Sequence, residues 1–185
     1  MRKIDYIVIH HSATLDGETF SWEAIRKYHI ETLKWRDIGY NFGIEKYQGK
    51  TFILAGRDIS EIPAHTSGLN TNSIGICVVG NYDNEILDLD KKQTLLFLLK
   101  TLMYLLDLSP ERVIGHREYY VLTQLNLADK RYLSENIKTC PGVNFPMHEI
   151  RETLSKKFKV KNSNLFKVLQ SFDREFLAKR KVFWV

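Results

Sequence analysis

The stretch IDYIVIHH at residues 4–11 is rich in apolar, β-branched residues and ends in two histidines. Its length and composition predict a buried strand. A second fully apolar run, SIGICVV at residues 73–79, predicts another strand, which a Gly-Asn turn closes. We therefore expect a sheet built on two apolar strands, the first of which has His10 and His11 at its end.

Helical and extended patterns alternate along the rest of the chain. A helix begins near Ser21, a candidate N-cap, and carries its apolar residues at spacings of three and four. This alternation indicates an α/β fold in which helices flank a central mixed β-sheet. The further predicted elements are a β-hairpin with strands at 39–44 and 51–54, a strand at 112–114, and helices at 90–107, 147–158 and around Leu165, Leu169, Phe172 and Phe176.

Composition bounds the organisation of the chain. The 185 residues are 44% hydrophobic, which is enough for one domain with one core. The formal net charge is +5, and the basic residues are concentrated at 151–185, where ten Lys or Arg accompany three Asp or Glu. We therefore predict a domain at residues 1–158 that carries the functional site, and a basic amphipathic helix and tail at residues 159–185 packed on it.

The apolar runs also bear on the cellular compartment. None approaches the roughly 20 residues that a membrane-spanning helix needs, so we expect no transmembrane segment. The N-terminal residues MRKIDYIVIHHS include two basic residues, but their apolar patch is too short for a signal peptide. We therefore expect cytoplasmic synthesis, and we treat Cys77 and Cys140 as separate thiols.

Three candidate metal ligands stand at the ends of apolar segments. They are His10 after IDYIVI, His116 after RVIG, and Cys140 before Pro-Gly. Two imidazoles and a thiolate leave one tetrahedral position of a zinc ion open for water, which the ion can convert to a nucleophile near neutral pH. Spacing alone does not separate this zinc site from three unrelated residues, because no compact ligand signature joins them.

Six sequence blocks occur in order along the chain. They are IVIHHSAT at 7–14, RDIGYNFGI at 36–44, GRD at 56–58, HTSGLNTNSIGICVVGNYD at 65–83, VIGHRE at 113–118 and KTCPG at 138–142. Together they resemble the N-acetylmuramoyl-L-alanine amidases, a family that includes phage endolysins, bacterial cell-wall recycling amidases and animal peptidoglycan recognition proteins. The resemblance covers about residues 4–146, and its specificity comes from the presence of all the blocks together.

The resemblance implies a zinc hydrolase that cleaves the amide bond between N-acetylmuramic acid and L-alanine in peptidoglycan. Tyr40 would donate a hydrogen bond to the substrate carbonyl or its neighbouring water, and Lys138 would stabilise the developing oxyanion. The implied site consists of the zinc ligands His10, His116 and Cys140, the catalytic residues Tyr40 and Lys138, and the substrate-binding residues His65 and Asn81.

Two other functions remain open within the same resemblance. One is a peptidoglycan-binding module without turnover, and the other is a cytoplasmic amidase that recycles soluble muropeptides. Family members that bind without cleaving typically lack the metal-binding cysteine, so the retained Cys140 favours an enzyme. The chain departs from the family pattern at Asn41, where many members have histidine, and in a long segment at 118–136 that we interpret as a lid or specificity insertion.

The basic, aromatic C-terminus permits two interpretations. Its clustered cations suit anionic wall polymers, and the same electrostatics would suit a nucleic acid, although we expect no nucleic-acid partner. The favoured interpretation is a helix that packs its Leu/Phe stripe on the domain and leaves its charges in water. Peptidoglycan or muropeptides are the expected partners, and an enzyme without an export signal would reach the wall after release by a partner protein.

Overall fold

The computed structural model describes residues 2–15, 21–133, 138–158 and 163–181. Within these residues, five strands and five α-helices form the framework, with short 3₁₀ turns and a π-helical turn, Tyr28–Thr32, between them. The strands are β1 (Tyr6–His11), β2 (Phe42–Tyr47), β3 (Lys50–Ala55), β4 (Ser73–Val78) and β5 (Val113–Gly115). The helices are α1 (Ser21–Lys27), α2 (Leu89–Leu106), α3 (Tyr119–Gln124), α4 (Met147–Ser155) and α5 (Ser163–Lys181).

The five strands form one mixed sheet in the order β3-β2-β4-β1-β5. Only the hairpin pair β2 and β3 is antiparallel, and the other three pairs are parallel. Strands β1 and β4 lie inside the sheet and every residue of both is buried, which explains why their sequences are apolar apart from Ser73 and the two histidines. The predicted α/β fold with a central mixed sheet is confirmed.

The two faces of the sheet are covered by different helices. Ile7 and Ile9 of β1 belong to a core that contains residues of α2 and α4, whereas Tyr6 and Val8 belong to a core that contains residues of α3 and α5. Side chains of a strand alternate between the faces. His10 therefore continues the row of Tyr6 and Val8.

The register of the parallel strands brings distant segments to one edge of the sheet. Ile9 of β1 pairs with Gly115 of β5, and His10 pairs with Cys77 of β4. Carboxyl ends of parallel strands meet at the same edge, so the residues that follow Ile9 and Gly115 are neighbours. Those residues are His10 and His116.

Several predicted boundaries differ from the structure. Strand β1 continues through both histidines instead of ending before them, because His11 still pairs with Val78 of β4. Ser21 is the first residue of α1 and not its N-cap. The buried carboxylate of Glu45 on β2 accepts hydrogen bonds from the backbone amides of Ser21 and Trp22, so a distant strand caps this helix.

Helix α5 packs on the sheet through its apolar stripe. Leu165 and Leu169 are buried in the same core as Val8 and Leu122. The described part of the chain does not include the side chain of Phe176, which we placed on this stripe. It also does not include the residues of the basic tail from 182 onward. Within the described part, no helix combines the length and apolar character that crossing a membrane requires.

Candidate metal centre

Three side chains converge where β1 and β5 end. The imidazoles of His10 and His116 have ring centroids 4.6 Å apart, and Sγ of Cys140 lies 3.5 Å from Nδ1 of His10. All three ligand atoms lie within 4.8 Å of one another. His10 is buried and the other two side chains are half-buried. The fold thus brings together the three predicted ligands.

The donor set and its spacing fit a zinc ion. Zinc binds imidazole nitrogen at about 2.0–2.1 Å and thiolate sulfur at about 2.3 Å, so tetrahedral coordination separates the two donors by about 3.6 Å. The observed Sγ to Nδ1 distance of 3.5 Å matches this separation. Three protein donors also leave the fourth position that a catalytic zinc needs. The residues present therefore suit the metal that the resemblance implies.

Burial sets the protonation of the three groups in the metal-free protein. It lowers the pKa of His10 well below the ordinary value and that of His116 to about 3, so both imidazoles are neutral and keep a lone pair for a metal. Burial raises the pKa of the Cys140 thiol to about 12. A divalent cation would have to displace this proton on binding, as cations do at thiol ligands.

His65 contacts the ring nitrogen of His10 that faces away from Cys140. Nε2 of His10 lies 3.0 Å from Nδ1 of His65 and 3.3 Å from the Thr66 hydroxyl. Nε2 of His65 lies 3.2 Å from the Ser73 hydroxyl, which donates to the Leu69 carbonyl at 2.7 Å. If Nδ1 of His10 keeps its lone pair for a metal, Nε2 carries the proton and donates to His65, which in turn donates to Ser73.

The ring of His65 occupies space that a glycine leaves open. A Cβ atom on Gly75 of β4 would overlap the His65 imidazole. Burial lowers the pKa of His65 to about 3, so this imidazole is neutral and can accept one hydrogen bond while it donates another. The sequence pointed to His65 only as a substrate-binding residue. The structure places it against His10 as well as in the wall of the adjoining cavity.

Tyr40 also packs against the His10 ring, next to His65, with the centroids of the Tyr40 and His65 rings 6.5 Å apart. The ring centroids of Tyr40 and His10 are 5.3 Å apart, and Tyr40 also packs against the small core that contains Cys77. Burial raises the pKa of Tyr40 well above its ordinary value. The phenol therefore keeps its proton and remains a hydrogen-bond donor next to the three ligands.

A cavity of about 310 Å³ adjoins the metal centre. His65 and His116 lie in its wall, together with Lys138, which is exposed. The segment that we interpreted as an insertion supplies α3 and a 3₁₀ turn to the same wall. The aromatic side chains of the wall are Trp35, Tyr119, Tyr120 and Tyr132. The cavity thus combines an exposed cation with broad apolar surfaces beside the three ligands.

Asn81 occupies a tight turn after β4. Its side-chain oxygen accepts a hydrogen bond from the backbone amide of Asp83 at 3.2 Å, and its backbone carbonyl accepts from the amides of Asn84 and Glu85. Asn81 is not among the residues that line the cavity beside the metal centre. Asn81 therefore forms the turn, and among the described residues its hydrogen bonds do not involve the predicted metal ligands.

Two charged residues hold the loop that carries Cys140. Asp83 accepts hydrogen bonds from the Val143 amide and the Thr139 hydroxyl, both at 2.9 Å. Arg117 donates from its backbone amide to the Cys140 carbonyl at 2.7 Å. We assigned no role to either residue from the sequence. The position of Arg117 directly after the predicted ligand His116 was an available signal, whereas Asp83 is distant in the sequence from all three predicted ligands.

Comparison with known proteins identifies a family and several relatives of this chain. A family model described as N-acetylmuramoyl-L-alanine amidase matches residues 1–143. The endolysin of Escherichia phage T7 is 41% identical over 81 residues, which are 44% of this chain and 51% of the endolysin. Peptidoglycan-recognition protein SC2 of Drosophila melanogaster is 38% identical over 92 residues, covering 45% of this chain and 47% of that protein. The chain thus spans about half the length of the curated relatives it matches.

The fold recurs in solved structures. The N-acetylmuramoyl-L-alanine amidase LysC from Clostridium intestinale URNW has a TM-score of 0.62 with this chain at 24% sequence identity, over 83% of this chain and 87% of LysC. This likeness concerns the fold. The family model, in contrast, covers most of the sequence, including β1 to β5 and all three candidate ligands. The chain belongs to the N-acetylmuramoyl-L-alanine amidase family.

Proposed function

We propose that this protein hydrolyses the amide bond between N-acetylmuramic acid and L-alanine in peptidoglycan, with one zinc ion held by His10, His116 and Cys140. The observation that carries the proposal is the convergence of these three donors within 4.8 Å at the mouth of a cavity, on the framework of an amidase family. The presence of the Cys140 thiol as the third candidate ligand favours an enzyme over a protein that only binds peptidoglycan.

In the proposed mechanism, His65, Tyr40 and Lys138 have different roles. A bound zinc ion supplies a Lewis acid and lowers the pKa of a coordinated water to about 7. His65 holds the His10 imidazole in one tautomer and one orientation. The protonated Tyr40 hydroxyl can donate to the substrate carbonyl, and the Lys138 ammonium lies at the cavity wall, where it can stabilise the oxyanion of a tetrahedral intermediate.

Removing either charge-stabilising group should lower the rate and leave the metal in place. We expect Tyr40→Phe and Lys138→Met each to reduce kcat by roughly 100-fold to 1,000-fold, the usual effect of losing one oxyanion donor. Metal content, measured on the same preparations, should match that of the wild type. The exposed Tyr104 on α2 offers a matched phenol, and Tyr104→Phe should leave kcat unchanged. An unchanged kcat in Tyr40→Phe and Lys138→Met would contradict their roles.

Removing the support of His10 should weaken metal binding. We expect His65→Leu to lower zinc affinity about 10-fold to 100-fold, since outer partners of ligating histidines have effects of this size. Competition with a chelator measures this affinity. His29→Leu is the control, because His29 is another buried histidine but accepts its hydrogen bond from the Gly39 amide, away from His10. Equal affinities in His65→Leu and the wild type would remove the proposed orienting role.

The bond that is cut identifies the enzyme. Purified zinc-loaded protein incubated with bacterial cell walls should release new L-alanine amino termini without new reducing sugar ends. Reducing ends without amino termini would instead indicate a glycosidase. Digestion of intact sacculi beside soluble anhydro-muropeptides then separates a lytic amidase, which we favour, from a recycling amidase.

A peptidoglycan-binding module without turnover is the second candidate. It is motivated by the similarity to peptidoglycan-recognition protein SC2. Such a module would bind muropeptides but release no amino termini, even when fully loaded with zinc. Contact of the basic tail with anionic wall polymers also stays a proposal. Measuring wall binding after neutralising the tail lysines and arginines, with the fold checked by circular dichroism, would test it.

A further inference from the structure

Besides Asp83, the side chain of Arg117 holds the loop that carries Cys140. The guanidinium of Arg117 donates from Nη1 to the carbonyls of Gly142 at 2.6 Å and Thr139 at 3.3 Å, and from Nη2 to the Phe145 carbonyl at 3.1 Å. The Arg117 backbone amide adds the bond to the Cys140 carbonyl. Four carbonyls around the sulfur ligand are therefore held by the residue that directly follows the ligand His116.

The counter-charge for this guanidinium comes from helix α5. Nε of Arg117 donates to Oδ1 of Asp173 at 3.2 Å, and Nη2 donates to the same oxygen. Both side chains are completely buried. The other carboxylate oxygen, Oδ2, accepts from the backbone amide of His148 at 3.0 Å and lies 3.2 Å from its ring Nδ1. Asp173 thus joins α5, α4 and the Cys140 loop through one carboxylate.

A second buried ion pair joins helix α4 to the turn after β5. The guanidinium of Arg151 on α4 donates two hydrogen bonds of 2.7 Å to the carboxylate of Glu118, which also accepts from the Gly115 amide. Nε of Arg151 donates to the side chain of Gln170 on α5 at 2.9 Å. Helix α5 is therefore joined to the turn after β5 directly by Asp173 and indirectly by Gln170, which contacts Arg151 of α4.

Asp173 and Gln170 lie beyond residues 1–143, the region that matches the amidase family model. We propose that Asp173 is a positioning residue for the metal centre. It fixes the Arg117 guanidinium, and Arg117 in turn places the Cys140 sulfur at bonding distance from the ion that His10 and His116 share. The inference rests on the proposed zinc site and extends it, because it makes α5 part of the unit that binds the metal.

Charge, and not packing alone, distinguishes Asp173 from its neighbours on α5. Asp173→Asn would remove the carboxylate that accepts from Nε and Nη2 of the buried guanidinium. Losing one partner of a buried ion pair is strongly unfavourable, so the Arg117 side chain would move toward water or draw water in. Either change would release the carbonyls of Thr139, Gly142 and Phe145. Leu169, one turn earlier on the same helix, is equally buried but contributes apolar contacts to the core. Its truncation weakens the docking of α5 and leaves the Arg117 to Asp173 bond in place.

The test compares Asp173→Asn with Leu169→Ala in the full-length chain. Zinc affinity is measured by competition with a chelator, at a temperature where circular dichroism shows both variants folded. We expect Asp173→Asn to bind zinc about 10-fold to 100-fold more weakly, as outer-shell substitutions do, while Leu169→Ala keeps the wild-type affinity. In cobalt-substituted protein, Asp173→Asn should also show a weakened thiolate-to-cobalt charge-transfer band, because the sulfur is displaced.

Two results would overturn the inference. One is an equal loss of zinc affinity in both variants, which would indicate general destabilisation. The other is wild-type affinity and an unchanged cobalt spectrum in Asp173→Asn. If the wild type hydrolyses cell walls with bound zinc while Asp173→Asn matches it, only this inference fails. If the wild type takes up no zinc, the proposed function fails and this inference fails with it.

A measurement on the wild type covers the case in which Asp173→Asn does not fold. Coupling between two sites is reciprocal, so zinc must stabilise α5 if α5 stabilises the zinc site. Addition of zinc should slow amide hydrogen exchange around residues 170–173 and 139–145 more than in the edge strand β3. Equal protection of β3 and α5, or no protection of α5, would contradict the proposal.

Discussion

Cys140→Ser is expected to lose zinc and amide hydrolysis together while the fold survives. A serine hydroxyl is not deprotonated near neutral pH and is a poorer zinc ligand than a thiolate, so the ion would keep only His10 and His116. We expect zinc affinity and hydrolysis to fall by roughly 100-fold or more, beyond the effect of altering an outer-shell partner. The side chain of Cys140 is half-buried and lies outside the hydrophobic cores, so the folded state should persist.

The measurement combines metal content with release of L-alanine amino termini from cell walls. Cys77→Ala is the matched control, since Cys77 is a buried thiol in the small core with Trp22 and Ile38 and is not one of the three converging donors. It should retain one zinc ion per chain. Full hydrolysis by Cys140→Ser would show that the sulfur is dispensable, and the three-ligand centre would then be wrong.

Truncation after Phe158 is expected to unfold the domain, because α5 is lost. Leu165 and Leu169 would leave the core, and a fully buried leucine contributes about 1.5–3 kcal/mol. Arg117 would remain buried without Asp173, and breaking a buried ion pair in this way costs about 3–5 kcal/mol. These losses are comparable with the whole free energy of unfolding of a domain, about 5–15 kcal/mol.

Thermal denaturation followed by circular dichroism checks this expectation. The truncated chain should show no cooperative transition, whereas removal of only residues 182–185 should preserve it. A truncated chain that melts like the wild type but no longer binds cell walls would favour the other interpretation of the C-terminus, in which it serves as a targeting element for anionic wall polymers.

The sequence was sufficient for most of the framework, for a physical reason. Buried parallel strands must be apolar on both faces, so β1 and β4 stand out as continuous runs. Helix α2 combines an apolar pattern with an N-cap at Asp88, and its bounds were predicted to within one residue. Element ends were less predictable where a distant partner decides them, as Glu45 does for α1.

The candidate site was predictable in part. His10 lies near the end of β1 and His116 directly follows β5, at the same sheet edge, which a strand pattern can suggest. Cys140 lies in a loop without periodicity, and only its block, KTCPG, identified it. The contact of His65 with His10 depends on the space above Gly75, which no spacing rule encodes.

The proposed role of Asp173 could not be predicted from the sequence, for a related reason. A helical pattern separates an apolar stripe from a polar face but does not distinguish a buried charge at their boundary from a solvated one. We expected the charges of this helix to lie in water. Asp173 is completely buried, and its partner Arg117 lies 56 positions earlier in the chain, so the local helical pattern does not reveal the ion pair.

The wide separation of the ligands along the chain has a consequence for biosynthesis. His10 and Cys140 are 130 positions apart, and β1 lies in the sheet between β4 and β5, which follow it much later. A nascent chain on the ribosome can therefore complete neither the sheet nor the ion's surroundings until almost all of it has emerged. Prematurely terminated products that lack Cys140 could not complete the proposed zinc site, so the proposed hydrolysis would be confined to molecules that contain all three ligands.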